Sequence, residues 1–97
     1  MFKLVFTEKS DSPLTLLESA KNKKAVLKAV RKTLGLMETN LRHPSLQTHA
    51  YSDLEGAHGE KVFESYAQNQ TPGAYRIFWH YGPQKNQITI VAIIPHP

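Results

Sequence analysis

The sequence predicts an α+β fold: an N-terminal strand, a two-helix hairpin, and then an antiparallel meander of three to four strands, with the helices packed on one face of the sheet. Three observations favour it. Strand-like apolar runs stand at the N-terminus and in the second half, apolar residues at helical spacing lie between them, and glycine- and proline-containing turns separate the runs. At 97 residues the chain is predicted to form one domain, 1–97.

The first part of the chain predicts one strand and one short helix. Phe2, Leu4 and Phe6 recur at every second position, which is typical of a strand with one buried face. The segment 11–13, Asp-Ser-Pro, is typical of a helix start, because a side-chain oxygen can cap the first turn and proline needs no N–H there. The apolar positions that follow predict a short first helix over about 13–20.

An apolar stripe predicts a second helix, capped by Asn22. Its members follow one another at intervals of three or four residues: Leu27, Val30, Leu34, Met37 and Leu41. The stripe continues past Gly35, which predicts a glycine inside the helix, and a break at Gly35 is the alternative. Because the link between the two helices is so short, they are predicted to form an antiparallel hairpin.

The second half predicts the meander, with strands over 46–51, 62–67, 74–81 and 88–94. The turns between the last three strands contain Pro72-Gly73 and Gly82-Pro83. In the last strand, the period of two places four apolar side chains on one face: Ile88, Ile90, Ala92 and Ile94. Apolar residues on both faces of that strand indicate a central or doubly covered position.

The strand over 74–81 divides its side chains between two faces. Four large side chains are predicted to face the core: Tyr75, Ile77, Trp79 and Tyr81. The opposite face carries Arg76, Phe78 and His80. The sequence therefore predicts a guanidinium and an imidazole on a sheet face that is open to a ligand.

The formal net charge is +4, and it is concentrated in the first half. Residues 1–42 carry a net +5 and residues 43–97 a net −1. A sequence pI near 9.5 suits a polyanionic partner such as RNA, DNA or an acidic protein, and the alternative is a solvated helix face. The absence of cysteine excludes disulfides and fits a reducing, cytoplasmic location. No apolar segment approaches the length of a membrane span, so no membrane partner is expected.

Arg76 is the first candidate for chemistry, because a guanidinium grips a phosphate through two parallel hydrogen bonds and can stabilise charge that develops on it. The alternative is an ion pair with Glu64 on the neighbouring strand. Glu64 itself could act as a base or orient Arg76. Tyr66 shares the face of Glu64 and could stack on a nucleobase, or it could simply pack in the core.

Three histidines are candidates for proton transfer, because imidazole titrates near neutrality: His49, His80 and His96. The alternative for His96 is a disordered terminal residue. No histidine pair has the close spacing of a zinc site, so no metal and no cofactor are expected. Lys61 and Arg42 are candidates for contacts with a nucleic-acid backbone, which require only position and charge, and His80 is a further candidate for RNA binding.

Motifs along nearly the whole chain resemble the RelE/ParE toxin superfamily of bacterial toxin–antitoxin systems. They are His-Pro-Ser-Leu at 43–46, Gly-Glu-Lys-Val-Phe-Glu-Ser-Tyr at 59–66, Tyr-Arg-Ile at 75–77 and the terminal His-Pro at 96–97. The resemblance departs from the family at Pro97, where some members have a stacking aromatic residue, and in the small number of basic residues on the sheet.

The resemblance implies a metal-independent mRNA endonuclease that acts at the ribosome, in which the 2′-hydroxyl of the messenger attacks the adjacent phosphate. It matches Arg76 to the arginine that steadies the phosphate and His96 to the general acid, with His49 or Glu64 as the base. It also implies three partners: a cognate antitoxin, mRNA and the ribosome. The alternatives are a ParE-like inhibitor of DNA gyrase and an inactive interaction domain of the same fold.

Overall fold

The structure is a computed structural model that describes residues 1–7, 23–68 and 73–95. These residues form five strands and one α-helix, in the order β1 Lys3–Phe6, α1 Lys24–Thr39, β2 His49–Glu55, β3 Lys61–Tyr66, β4 Tyr75–Tyr81 and β5 Gln87–Pro95. A short 3-10 helix, Pro44–Leu46, precedes β2. Within the described residues, no helix has the length and apolar composition needed to cross a bilayer.

The five strands form one sheet in the order β1-β5-β4-β3-β2. Strands β2 to β5 make a four-stranded antiparallel meander, but β1 pairs in parallel with β5, from Lys3 beside Gln87 to Phe6 beside Ile90. The sheet is therefore mixed, and the prediction of antiparallel pairing alone is wrong. The two partners stand at opposite ends of the chain, so no turn residue signals the direction of this pairing.

Helix α1 contains Gly35 in its interior, as the apolar stripe predicts, and it ends before Leu41. It begins after Lys23, which makes no side-chain capping bond; the predicted cap Asn22 lies outside the described residues. The predicted first helix, over 13–20, lies outside them as well. The two-helix hairpin is therefore not confirmed, since the part of the chain that the structure describes holds one α-helix.

Helix α1 packs on one face of the sheet, which we call the helix face. Val30, Leu34 and Met37 of α1 join a buried cluster with side chains of the turn and the central strands: Leu46, Ile77, Trp79, Ile88, Ile90 and Ile93. The Trp79 indole donates a hydrogen bond of 2.8 Å to the Ser65 hydroxyl within this core. The other face, which carries Arg76, Phe78 and His80, is called the open face.

A β-bulge between β4 and β5 changes which side chains share a face. Phe78 lies opposite Ala92, but Trp79 lies opposite Ile90, so Val91 is the extra residue. Ile88, Ile90 and Ile93 consequently enter the helix-face core, whereas Ala92 packs with Phe78 on the open face. The prediction that Ile88, Ile90, Ala92 and Ile94 share one face is wrong, because the alternation restarts at the bulge.

Strand β2 begins later than predicted, at His49 rather than at residue 46, because Leu46 closes a 3-10 turn and is buried in the core. The pairing of β2 with β3 is irregular between Ala50 and Glu55. Through this irregular part β2 curls over the open face, where its side chains join a second small core: Tyr51, Leu54, Val62, Phe78 and Ala92. The two ends of the open face thus lie on either side of an apolar ridge.

Candidate active site

Four of the residues singled out in the sequence meet at one end of the open face: His49, Glu64, Tyr66 and Arg76. They come from three adjacent strands, because His49 of β2 lies opposite Glu64 of β3, and Tyr66 of β3 lies opposite Arg76 of β4. Side chains in neighbouring cross-strand rows of one face are within reach of each other. We call these four residues the open-face cluster.

Glu64 is the buried centre of this cluster. Its side chain is 3% exposed, and its Oε1 lies 2.6 Å from Nε2 of His49, whose side chain is 48% exposed. The other ring nitrogen, Nδ1, lies 2.9 Å from the carbonyl oxygen of Gln47. Because a carbonyl and a carboxylate oxygen only accept, both contacts are hydrogen bonds only when both ring nitrogens carry hydrogen. An imidazolium form of His49 would donate to both oxygens at once.

Arg76 is held by main chain and by an aromatic ring. Its Nη1 donates to the carbonyl oxygen of Gln68 at 2.5 Å and to that of Tyr75 at 3.4 Å, and its guanidinium carbon lies 3.6 Å from the centre of the Tyr66 ring. Its Nε lies 3.9 Å from Oε2 of Glu64, which is too long for a hydrogen bond. Both atoms are buried, and neither has a hydrogen-bond partner among the described residues.

Three side chains that can carry charge meet in the cluster. The guanidinium of Arg76 and the imidazole of His49 face one carboxylate, Glu64, so the set has one net positive charge when His49 is protonated. Burial of Glu64 and Arg76 strengthens this field, because little water screens it. The arrangement suits an anionic group that approaches the exposed edge of His49.

The structure places three other candidates outside this cluster: His80, Lys61 and Arg42. His80 lies on the open face of β4, four residues from Arg76 and so about 13 Å along the strand. Lys61 lies on the helix face of β3, and its Nζ is 5.7 Å from the centre of the Phe63 ring. Arg42 follows α1 and lines a cavity with side chains of the helix face. His96 lies outside the described residues.

Two main-chain groups that contact the cluster could not be predicted from the sequence: the carbonyl oxygens of Gln47 and Gln68. The first orients His49 and the second holds Arg76. Every residue has a main-chain carbonyl, so no side-chain pattern identifies the ones that serve a site. Gln47 has a left-handed backbone conformation, with φ of 47°, and glutamine gives no signal for that conformation.

At the other end of the open face, the tip of the β2–β3 hairpin holds a second carboxylate, Glu60. Its pKa lies below the ordinary value chiefly because its own main-chain N–H and that of His58 donate to it. The His58 N–H bond to Oε1 is 2.7 Å long. Gly56 permits this packing, because a Cβ at that position would collide with the Glu60 side chain.

Replacing Glu60 with glutamine is expected to make the free energy of unfolding depend less on pH in the acidic range. The native-state pKa of Glu60 lies below its ordinary value of 4.5, so the ionised carboxylate stabilises the native state above pH 4.5. That contribution is lost as the pH falls through the lower native-state pKa. Urea unfolding of both proteins should show a free-energy difference at neutral pH that shrinks in acid, and a difference that is constant with pH would contradict this.

No protein-family model and no curated protein matches the sequence. Solved structures do match. A YoeB/ParE toxin from Agrobacterium tumefaciens superposes with a TM-score of 0.70 at 9% identity, over 99% of this chain and 100% of that one. The archaeal RelE–RelB complex from Pyrococcus horikoshii superposes with a TM-score of 0.64 at 14% identity, over 97% of this chain and 93% of that one. The YoeB–YefM toxin–antitoxin complex from Staphylococcus aureus superposes with a TM-score of 0.60 at 12% identity, over 100% of this chain and 99% of that one.

The chain has the RelE/ParE toxin fold. At identities this low, the likeness establishes the RelE/ParE fold and not the activity, which has to be argued from the open-face cluster. Within residues 1–7, 23–68 and 73–95, no three His, Cys, Asp or Glu side chains converge in a way that would hold a metal ion.

Proposed function

We propose that this protein is the toxin of a type II toxin–antitoxin system, and that it cleaves translated mRNA at the ribosome without a metal. One observation carries the proposal: the open-face cluster joins an arginine, a histidine and a carboxylate on a sheet of the RelE/ParE fold. Such a set supplies the two needs of phosphate transesterification, charge stabilisation and proton transfer.

His49 is the proton-transfer residue in this proposal, because its imidazole is half exposed while Glu64 and Arg76 are buried. Glu64 holds Nε2 and fixes the ring. The Nδ1 proton, which faces the Gln47 carbonyl in the structure, passes to the 5′-oxygen as the phosphorus–oxygen bond breaks. The 2′-oxygen forms the new bond to phosphorus, and its proton passes to water.

This scheme makes Glu64 a positioning residue and gives His49 the acid form, whereas the resemblance offers either of them as the base. Arg76 stabilises the negative charge that grows on the phosphoryl oxygens. Tyr66, which is partly buried against the guanidinium, supplies an aromatic surface for a base next to the cut. The resemblance implies that His96 is the general acid, but His96 lies outside the described residues.

Induction of the protein in bacterial cells tests the proposal. We expect growth arrest and new mRNA 5′ ends inside translated regions, mapped by primer extension, with chromosomal DNA intact. Blocking translation initiation before induction should remove these ends, because the proposal places cleavage on the ribosome. Intact mRNA together with DNA breaks would contradict it.

The alternative is a toxin that binds DNA gyrase, as ParE-like relatives are expected to do, or an inactive domain of the same fold. One observation favours a non-catalytic role: the side chain of Arg76 is 8% exposed and its Nη1 already donates to a main-chain carbonyl, which suits a structural arginine. The induction experiment separates the two, since gyrase inhibition damages DNA and leaves mRNA uncut.

The partner proposed for this chain is a cognate antitoxin. The structural relatives include a RelE–RelB complex and a YoeB–YefM toxin–antitoxin complex, so chains of this fold occur bound to a second protein. Exposed lysines along α1, Lys24, Lys28 and Lys32, offer basic surface that an acidic segment of such a partner would cover.

A further inference from the structure

A groove of about 610 Å³ lies at the end of the open face away from the cluster, between the β2–β3 hairpin tip and the strands β1 and β5. Its walls include the apolar side chains of Val5, Pro83 and Val91. Six residues with polar side chains also line it: Thr7, Glu55, His58, Glu60, His80 and Thr89. Most of the exposed wall area is apolar, and apolar walls with polar groups placed among them are typical of a small-molecule or base-binding site.

His80 presents a hydrogen-bond acceptor to this groove. The residue is 5% exposed, and its Nδ1 lies 2.8 Å from the carbonyl oxygen of Tyr81. A carbonyl oxygen only accepts, so Nδ1 carries the hydrogen, and whenever the ring is neutral Nε2 is an acceptor. Nε2 makes no hydrogen bond among the residues that the structure describes; its nearest charged neighbour is Oε2 of Glu60, 4.0 Å away.

Glu60 presents a second acceptor beside the first. Its Oε1 already accepts from the His58 N–H, and it is Oε2 that faces His80. Two acceptors 4.0 Å apart do not bond to each other, and a group with two hydrogens on one nitrogen can donate to both. Amino groups of this kind stand on the edges of adenine, cytosine and guanine, whereas uracil has none.

The groove is also in line with the cluster. Arg76 and His80 lie on the same face of β4, about 13 Å apart along the strand, a distance that an extended RNA strand covers in a few nucleotides. The half-buried Tyr51 packs on Phe78 between them and offers an aromatic edge along that path. A strand held at Arg76 can therefore place a neighbouring base in the groove.

We propose that this groove binds an amino-bearing nucleobase of the RNA strand whose phosphate is held at Arg76, and that it thereby selects where the strand is cut. This inference rests on the proposed RNA-cleaving function. The flat ring would lie against Val5 and Val91, and the amino group would donate to Nε2 of His80 and Oε2 of Glu60. Uracil at this position is disfavoured, because its carbonyl oxygen would face two acceptors.

Nuclear magnetic resonance with pairs of nucleosides tests this directly on the whole chain. Cytidine and uridine differ at this edge by the amino group, and so do guanosine and inosine. We expect cytidine and guanosine to shift the His80 ring signals in a saturable way, and uridine and inosine to have at least tenfold weaker effects. Equal shifts within each pair, or none up to about 10 mM nucleoside, would overturn the proposal.

Glu60→Gln supplies a variant that keeps the hairpin shape and removes one acceptor charge, and Asp53→Asn, an exposed site on β2, is the matched control. We expect the first to weaken cytidine binding several-fold and the second to leave it unchanged. Equal effects of the two variants would overturn the proposal. The proposal would also be overturned if a peptide that contains asparagine or lysine shifted the His80 ring signals and cytidine did not. That result would assign the groove to a protein ligand.

The outcome for the groove is separable from that for the nuclease. If cytidine shifts His80 but no RNA is cut, the groove stands and the proposed function fails. If RNA is cut, but Glu60→Gln leaves the bases around every cut site as they are in the wild type, the groove proposal fails and the nuclease stands.

Discussion

Replacing His49 with glutamine is expected to slow RNA cleavage by about 10²–10⁴-fold, the range that general acid–base groups contribute, while the protein stays folded. The half-exposed imidazole of His49 is the most exposed side chain of the open-face cluster. Glutamine can still donate a hydrogen bond to Glu64, so the buried carboxylate keeps a partner, but glutamine cannot transfer a proton at neutral pH. Initial rates of mRNA cleavage on translating ribosomes, with equal amounts of the two purified proteins, measure the effect.

His43→Gln is the matched control, because the ring of His43 bonds to Ser45 in the turn before β2 and does not belong to the cluster. It should retain the wild-type rate within about twofold, in line with the small effects of substitutions away from a site. Unfolding curves of all three proteins exclude loss of fold as the cause. If His49→Gln cleaves at the wild-type rate, His49 is not the proton donor.

Replacing Glu64 with alanine is expected to reduce the free energy of unfolding by about 3–5 kcal/mol, as is typical when one partner of a buried ion pair is removed. Glu64 is the single carboxylate in contact with both His49 and Arg76 among the described residues. Without it, the buried guanidinium keeps its charge in a site that offers no anion. Urea denaturation of the wild type and the variant measures the loss.

A double variant separates this structural role from function. Glu64→Leu combined with Arg76→Met replaces both buried charges with apolar side chains of similar length, next to Phe78 and Ala92. Replacing a buried pair in this way is often neutral or stabilising, so the double variant should be more stable than Glu64→Ala. It should cleave no RNA. Cleavage by a folded double variant would show that the cluster is structural.

The faces of the central strands could be predicted from the sequence, because the period of two depends only on local geometry. Arg76 and His80 share the open face, and Glu64 and Tyr66 join them across the β3–β4 ladder. The facing of His49 could not be predicted, since it depends on the register between β2 and β3. That register follows from the 3-10 turn before β2 and from an irregularity inside the strand.

Long-range features were the ones that sequence patterns did not reveal. The parallel pairing of β1 with β5 joins the two ends of the chain, and no local signal encodes it. The bulge at Val91 also has no signature, because valine is as typical of a regular strand as of a bulged one. It turns Ile88 and Ile90 to the helix face and leaves Thr89 among the residues that line the groove.

The chemical nature of the RNA ends tests the central claim most directly. Purified protein is added to ribosomes that are translating a defined message, and the 3′ end of the upstream fragment is analysed. Attack by the 2′-hydroxyl predicts a 2′,3′-cyclic phosphate at that end, and a single 2′-deoxynucleotide at the cut position should block cleavage. Cleavage of the deoxy-substituted message, or a free 3′-hydroxyl on the upstream fragment, would contradict the account.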